Sequence, residues 1–210
     1  MKNKTGIDVS RWQGNIDWCK ASKDPLVNFC IAKIGGSDGG LYNDSKWIQN
    51  YMGCKGHNIP IGAYFFMGCD CNTAEKGKNL ASNILSMLRG YQLEMPFYLD
   101  VEGTNICERD GVTDAVYAIC DIIEKAGYYV GIYGSDVSTF KDRLNKDALT
   151  RFDKWVARYP LTSNLTVIKT CGMRQYSSTG RVDGIQGNVD LDVCYYDFPT
   201  IIKTKHLNGF

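Results

Sequence analysis

Short apolar runs recur along this 210-residue chain, separated by polar stretches with a helical pattern. The runs at 6–10 (GIDVS), 29–34 (FCIAKI), 60–66 (PIGAYFF) and 96–102 (PFYLDVE) are rich in β-branched and aromatic residues and punctuated by Gly and Pro. Those at 128–134 (YYVGIYG), 154–159 (KWVARY), 173–177 (MRQYS) and 189–195 (VDLDVCY) share that character, so the pattern predicts eight strands. Between them, 44–58 and 73–91 start at plausible caps and carry apolar residues three and four apart, as amphipathic helices do. Segment 113–127 ends in Gly127, a common residue just past a helix, and 135–149 is a further helical stretch after the fifth strand. About five helices are expected in all.

Strand–helix alternation implies parallel strands with right-handed crossovers, and closure of eight strands removes the two edges an open sheet would leave. The alternation fails late. Segments 161–172 and 178–188 are too short or too polar for a crossover helix, which needs a dozen or more residues with its loops. The expected fold is an irregular TIM-like α/β barrel whose C-terminal end is helix-poor and partly antiparallel. One domain covers 1–200, and 201–210 (IIKTKHLNGF) reads as a polar tail or the start of a linker.

Composition narrows the function classes. Hydrophobic content of 44% fits a chain with a sizeable core, and a net charge of +1 with no Lys/Arg run longer than a pair argues against nucleic acid as a partner. No apolar run is long enough to insert into a membrane. The start, MKNKTGIDVS, lacks the apolar stretch of a signal peptide, which points to synthesis without a secretory address. Nine cysteines with no CxxC pair and two histidines make a poor zinc pattern and a poor disulfide framework. They read as mostly free, buried thiols, with Cys69 and Cys71 the pair best placed to differ.

The chemistry is carried by acids. In FYLDVEG, residues 97–103, period two puts Asp100 and Glu102 on one face, opposite Phe97, Leu99 and Val101, with their Cβ atoms about 6–7 Å apart. Asp8 stands in the first strand, and Asp190 opens the eighth with Asp192 on its face. If that last strand runs antiparallel, Asp190 joins the others at one mouth of the barrel. Any one of these residues fits a solvated strand end or a helix cap. Four acids converging from three strands do not, because burying and crowding carboxylates is costly. Two chemistries use such a cluster: a hard-metal hydrolase centre, or glycoside hydrolysis by a carboxyl pair. Aromatic residues near the strand ends, Tyr64, Phe66, Tyr133, Trp155, Tyr159 and Tyr176, suit the apolar faces of sugars, although each alone could be core.

GIDVSRWQGNIDW, IGAYFF, FYLDVEG, KWVARY, RQYSS and GNVDLD, in this order, resemble the family-25 glycoside hydrolases, the Chalaropsis-type lysozymes common among bacteriophage endolysins. The resemblance runs through nearly the whole chain. It implies an N-acetylmuramidase that cleaves the β-1,4 bond between N-acetylmuramic acid and N-acetylglucosamine in bacterial peptidoglycan, with no cofactor and no metal. It makes Glu102 the acid/base and Asp100 its partner, with Asp8 and Asp190 completing an acidic floor. Tyr64, Phe66, Tyr133, Trp155, Gln175, Tyr176 and Asp192 are the implied substrate-binding residues. Two positions depart from the family pattern: Tyr64-Phe65-Phe66 stands where Tyr-His-Phe is frequent, and Asp192 where a neutral residue is common. A chitinase-like glycosidase and a metal-dependent barrel hydrolase are the competing readings. A phage lysin made in a host cytoplasm and released to the wall, with an appended wall-binding module, is the setting that the resemblance suggests.

Overall fold

The computed structural model describes residues 3–103 and 108–210. In chain order the strands are β1 (Lys4–Val9), β2 (Cys30–Gly36), β3 (Tyr42–Asn43), β4 (Ile61–Phe66), β5 (Phe97–Asp100), β6 (Val130–Ser135), β7 (Asp153–Ala157), β8 (Met173–Gly180) and β9 (Val189–Cys194). Eight of them close a barrel in the order β1-β9-β8-β7-β6-β5-β4-β2, with β2 returning to β1. The two-residue β3, absent from the sequence reading, adds antiparallel to the C-terminal end of β2.

Every barrel pairing is parallel except the two made by β9, which runs antiparallel to both β8 and β1. The expected antiparallel end is therefore confined to one strand. The β7–β8 connection, expected to lack a helix, does lack one, yet its strands stay parallel. Asp136 holds this irregular crossover in place. Its buried carboxylate accepts Thr166 N (2.6 Å), Thr166 Oγ1 (2.7 Å), Val167 N (3.1 Å) and Ile168 N (3.0 Å). Burial pushes its pKa up, but those donors outweigh it and the carboxyl ends below its ordinary value.

The helices are α1 (Trp18–Ala21), α2 (Trp47–Gly56), α3 (Ala74–Leu88), α4 (Arg109–Lys125) and α5 (Phe198–Thr204). Alternation along β5 explains how they pack. Phe97, Leu99 and Val101 join an outer core with Leu80 and Ile84 of α3 and Val116 and Ile119 of α4, whereas Tyr98 turns into the barrel with Phe29, Tyr133, Trp155 and Met173. The helix expected over 135–149 is broken into a π-helical turn, Ser138–Arg143, and a 3-10 turn, Lys146–Leu149. Short hydroxyl side chains compete for the backbone there: Ser135 N donates to Thr139 Oγ1 (3.1 Å) and Thr139 N to Ser135 Oγ (3.3 Å).

Residues 201–210 are the second half of α5 and a packed terminal turn rather than a solvated tail. Asn208 is fully buried, donates to Leu93 O (3.2 Å) and Met95 O (2.9 Å) and accepts from Tyr129 N (2.7 Å), sealing the N-terminal end of the barrel with Phe198 and Ile202. The eight described cysteines are free thiols; Cys19 and Cys69 are exposed, and Cys107 lies outside the described residues. No described helix is long and apolar enough to cross a membrane.

Candidate active site

The parallel strands end together around an open cleft of about 670 Å³. Asp8, Asp100, Glu102 and Asp190 all line it. The reversal of β9 is what allows this, because it pairs Asp190, near the start of that strand, with Asp8, near the end of β1. A more apolar hollow at the opposite end of the barrel, around Phe29, Met95 and Cys194, has Asp197 at its wall, and that carboxylate caps α5.

Asp100 ends β5 and is buried; Glu102 stands two residues on, in a turn that leaves it exposed at the lip. Glu102 N donates to Asp100 Oδ1 (3.1 Å), so one acid is fixed by the backbone of the other. Gly103 completes this turn because a Cβ there would lie 2.6 Å from the ring of Phe66 and 2.9 Å from Met67 O. The lip therefore rests directly on a ring of the cleft.

Beneath the lip runs a polar chain. Gln175 Nε2 donates to Asp8 Oδ2 (2.7 Å), while Gln175 Oε1 accepts from Tyr133 OH (2.8 Å) and from Tyr159 OH. Trp155 forms the floor at 1% exposure, tilted against Tyr133 with ring centres 4.2 Å apart, and its Nε1 donates to Asp192 Oδ1 (2.8 Å). Asp192 is one layer deeper than the cleft and fully buried; its Oδ2 meets no donor group among the described residues, and the Asp8 carboxyl is the neighbour with which it can share a proton.

Electrostatics follow from this burial. Desolvation first, and then the charges of Asp192 and Asp190, push Asp8 well above the ordinary carboxylate range against the pull of Gln175. Asp100 is raised by burial and by Glu102, and drawn down by the Glu102 N–H and the Lys33 ammonium. Glu102 is raised too, by the concave wall that excludes part of its water, with Asp190 adding to the shift and Arg143 opposing it. Burial lifts Asp190 to about 6. Both members of the pair are therefore raised, Asp100 as the more deeply buried of the two.

Of the expected substrate-binding residues, Tyr64, Phe66, Tyr133, Trp155 and Gln175 line the cleft. Two do not. Tyr176 follows Gln175 on β8 and packs against the outer core, since neighbours on a strand face opposite ways. Asp192 supports Trp155 from below and is sealed from the cleft. Trp12 and Lys33 also line the cleft and were not singled out from sequence. The signal for Trp12 was the motif that contains it. Ser10 Oγ accepts Trp12 N (3.3 Å) and Gln13 Oε1 accepts Ser10 N (2.9 Å), a capping box that turns the chain after β1 and presents Trp12, 78% exposed, at the rim.

Comparison with known proteins agrees with this geometry. Residues 7–185 match the profile described as glycosyl hydrolases family 25. The chain belongs to that family. It is 29% identical over 187 residues to the autolytic lysozyme of Clostridium acetobutylicum, covering 89% of this chain and 54% of that protein. The CTP1L endolysin superposes with a TM-score of 0.81 at 27% identity, covering 96% of this chain and 70% of that one. The modular autolysin LytC of Streptococcus pneumoniae, solved with a synthetic peptidoglycan ligand, gives a TM-score of 0.78 at 26% identity over 92% of this chain and 47% of that chain. This family-25 chain thus spans about half the length of the lysozyme and of LytC. The irregular barrel is the fold it shares with these neighbours.

Proposed function

We propose that this family-25 domain is a muramidase, cleaving the β-1,4 bond between N-acetylmuramic acid and N-acetylglucosamine in peptidoglycan. The observation that carries the reading is the Asp100–Glu102 pair: a buried carboxylate tied to the backbone of an accessible, raised-pKa carboxyl at the lip of an aromatic cleft.

Glu102 gives its proton to the glycosidic oxygen as the bond to the anomeric carbon breaks. Asp100 accepts the N–H of the sugar's 2-acetamido group, and that bond favours its ionised form, leaving the pair's proton on Glu102. The acetamido oxygen attacks the anomeric carbon and forms a cyclic oxazolinium. Glu102, now a base, then takes a proton from the water that opens the ring. Both acids come from one strand end and approach from one side of the bond, which favours the substrate's own nucleophile over a second enzyme carboxylate. Asp8, Gln175 and Asp190 keep the floor polar, while Tyr64, Phe66 and Tyr133 flank the sugars. The bacterial wall is the proposed place of action, with release from a host cytoplasm during phage lysis as the setting and an appended wall-binding module as a further part of the reading.

The test is digestion of purified peptidoglycan, with and without EDTA, followed by borohydride reduction. Reduced muramic acid as the new end, formed equally in chelator, supports the reading. Reduced glucosamine, or loss of activity in EDTA, contradicts it.

A further inference from the structure

Along one flank of the cleft, cations and aromatic rings alternate from the surface inward. The Arg11 guanidinium lies 5.0 Å from the Trp12 ring centre and 5.7 Å from that of Tyr42. The Lys33 ammonium follows, 5.4 Å from Tyr42, 6.0 Å from Tyr64 and 4.6 Å from Phe66. These separations fall within the reach of cation–π attraction. Four separate pieces of chain build the series: the turn after β1, then β2, β3 and β4. The short β3 exists in register for it, pairing Tyr42 with Gly36, and a Cβ on Gly36 would lie 2.5 Å from the Tyr42 hydroxyl oxygen.

Among the described residues, neither cationic head makes a hydrogen bond or ion pair, although acids stand near. Those acids are engaged elsewhere. Asp38 Oδ1 accepts from Tyr42 OH (2.7 Å), and Asp44 accepts the backbone N–H of Arg11 (3.1 Å) and of Lys46 (2.8 Å). Burial depresses the half-buried Lys33, and the charge of Arg11 depresses it further, against the pull of Asp38, Asp100 and Asp44. Two like charges have thus been set a ring apart, held by their faces, with their N–H donors unspent. An anion placed between them would relieve that repulsion and use those donors, an arginine fork being matched to a carboxylate.

The floor beside this series carries Asp8, Asp100, Glu102 and Asp190. A neutral glycan meets no penalty there, whereas a glycan with acidic branches is repelled unless something offsets its charge. We propose that Arg11 and Lys33 form a cationic rail that receives carboxylates pendant from the glycan, selecting acid-branched strands over neutral ones. The proposal rests on the muramidase reading and deepens it by naming what the cleft recognises beside the sugars. Two sources present this chemistry on peptidoglycan: the lactyl arm when its peptide is absent, and the carboxylates of the peptide stem.

The experiment is calorimetric binding in a Glu102→Gln background, so that nothing is turned over. Three soluble glycan fragments are compared: peptide-bearing, peptide-stripped with free lactyl carboxylates, and a peptide-bearing form whose carboxylates have been converted to methylamides. The rail predicts that Arg11→Gln weakens binding of at least one carboxylate form about tenfold and leaves the methylamide form unchanged, the difference shrinking as salt is added. Lys33→Met should show the same selectivity. An effect on the peptide-stripped form alone assigns the lactyl carboxylate, an effect on the peptide-bearing form alone assigns the stem, and an effect on both shows that the rail accepts either. Equal loss on charged and methylamide fragments, or no loss with Arg11→Gln, overturns the rail while leaving the muramidase reading intact. Failure of the parent protein to bind any fragment overturns both.

Discussion

Asp8 on β1 and Asp190 on β9 face each other as register partners across an antiparallel ladder, in a barrel whose other strands all run one way. Had β9 run parallel, its early residues would lie at the sealed N-terminal end beside Asn208 and Phe198. One reversed strand therefore brings a fourth acid to the mouth.

That placement has a consequence for pH. Burial lifts Asp190 to about 6, so it is ionised above that pH and protonated below it. Its charge also raises Glu102. If the ionised form supports catalysis, kcat/KM should fall on the acid side near pH 6. Asp190→Asn should remove the component of this limb that titrates near pH 6, leaving the one set by the Asp100–Glu102 pair, and move the alkaline limb, set by Glu102, to lower pH. A full pH–rate profile of both proteins checks it, and an unchanged acid limb in the variant would sink this role for Asp190.

Asp192 makes a prediction about stability. Burial is the main cause that raises both Asp8 and Asp192 well above their ordinary values, and among the described residues no donor group reaches Asp192 Oδ2, which has the Asp8 carboxyl as its neighbour. For an acid whose folded pKa exceeds its unfolded one, the folded chain keeps a proton that the unfolded chain releases. Stability is then greatest below about pH 4 and declines as pH rises toward the folded pKa. Asn at 192 can still accept from Trp155 Nε1, and its amide can donate to Asp8. Asp192→Asn should flatten the decline by about one proton, roughly 1.4 kcal/mol per pH unit, and be the more stable protein at pH 7. Urea unfolding at several pH values measures this; parallel curves for the two proteins would contradict it.

Trp12 offers a contrasting case. At 78% exposure it contributes little to the core, so Trp12→Ala should leave the urea midpoint unchanged. Loss of one aromatic face over the sugar should raise KM several-fold, about 1 kcal/mol, with kcat nearly retained. Steady-state kinetics on soluble glycan strands separates the two parameters, and a variant that unfolds early or keeps its KM would show that the ring is not a platform.

The barrel and its acids were legible in the sequence because both follow from short-range rules. Period two placed Asp100 opposite Phe97 and Leu99, and the polar, helix-less connections after β7 announced an irregular end. What stayed hidden depends on contacts between distant segments. Tyr42 becomes a strand residue through Gly36, six positions earlier, and residues 201–210 look polar although Asn208 satisfies three backbone groups beneath the barrel. Tyr176 was misplaced because an aromatic residue near a strand end says nothing of which face it takes, whereas its neighbour Gln175 faces in. Asp192 shared a face with Asp190 as expected, yet one layer of depth separates a cleft residue from a support beneath Trp155.

The account turns on Glu102 as proton donor, and the most direct measurement varies how much the leaving group needs that proton. Glu102→Gln is compared with the parent protein on soluble glycan and on an aryl glycoside of the same sugars whose acidic phenol departs unaided. General acid catalysis predicts a fall in kcat/KM, which reports only up to departure of the leaving group, of about 10³ on the glycan and a far smaller one on the aryl glycoside. An equal fall on both substrates, in a variant that remains folded, would show that Glu102 does something other than deliver the proton.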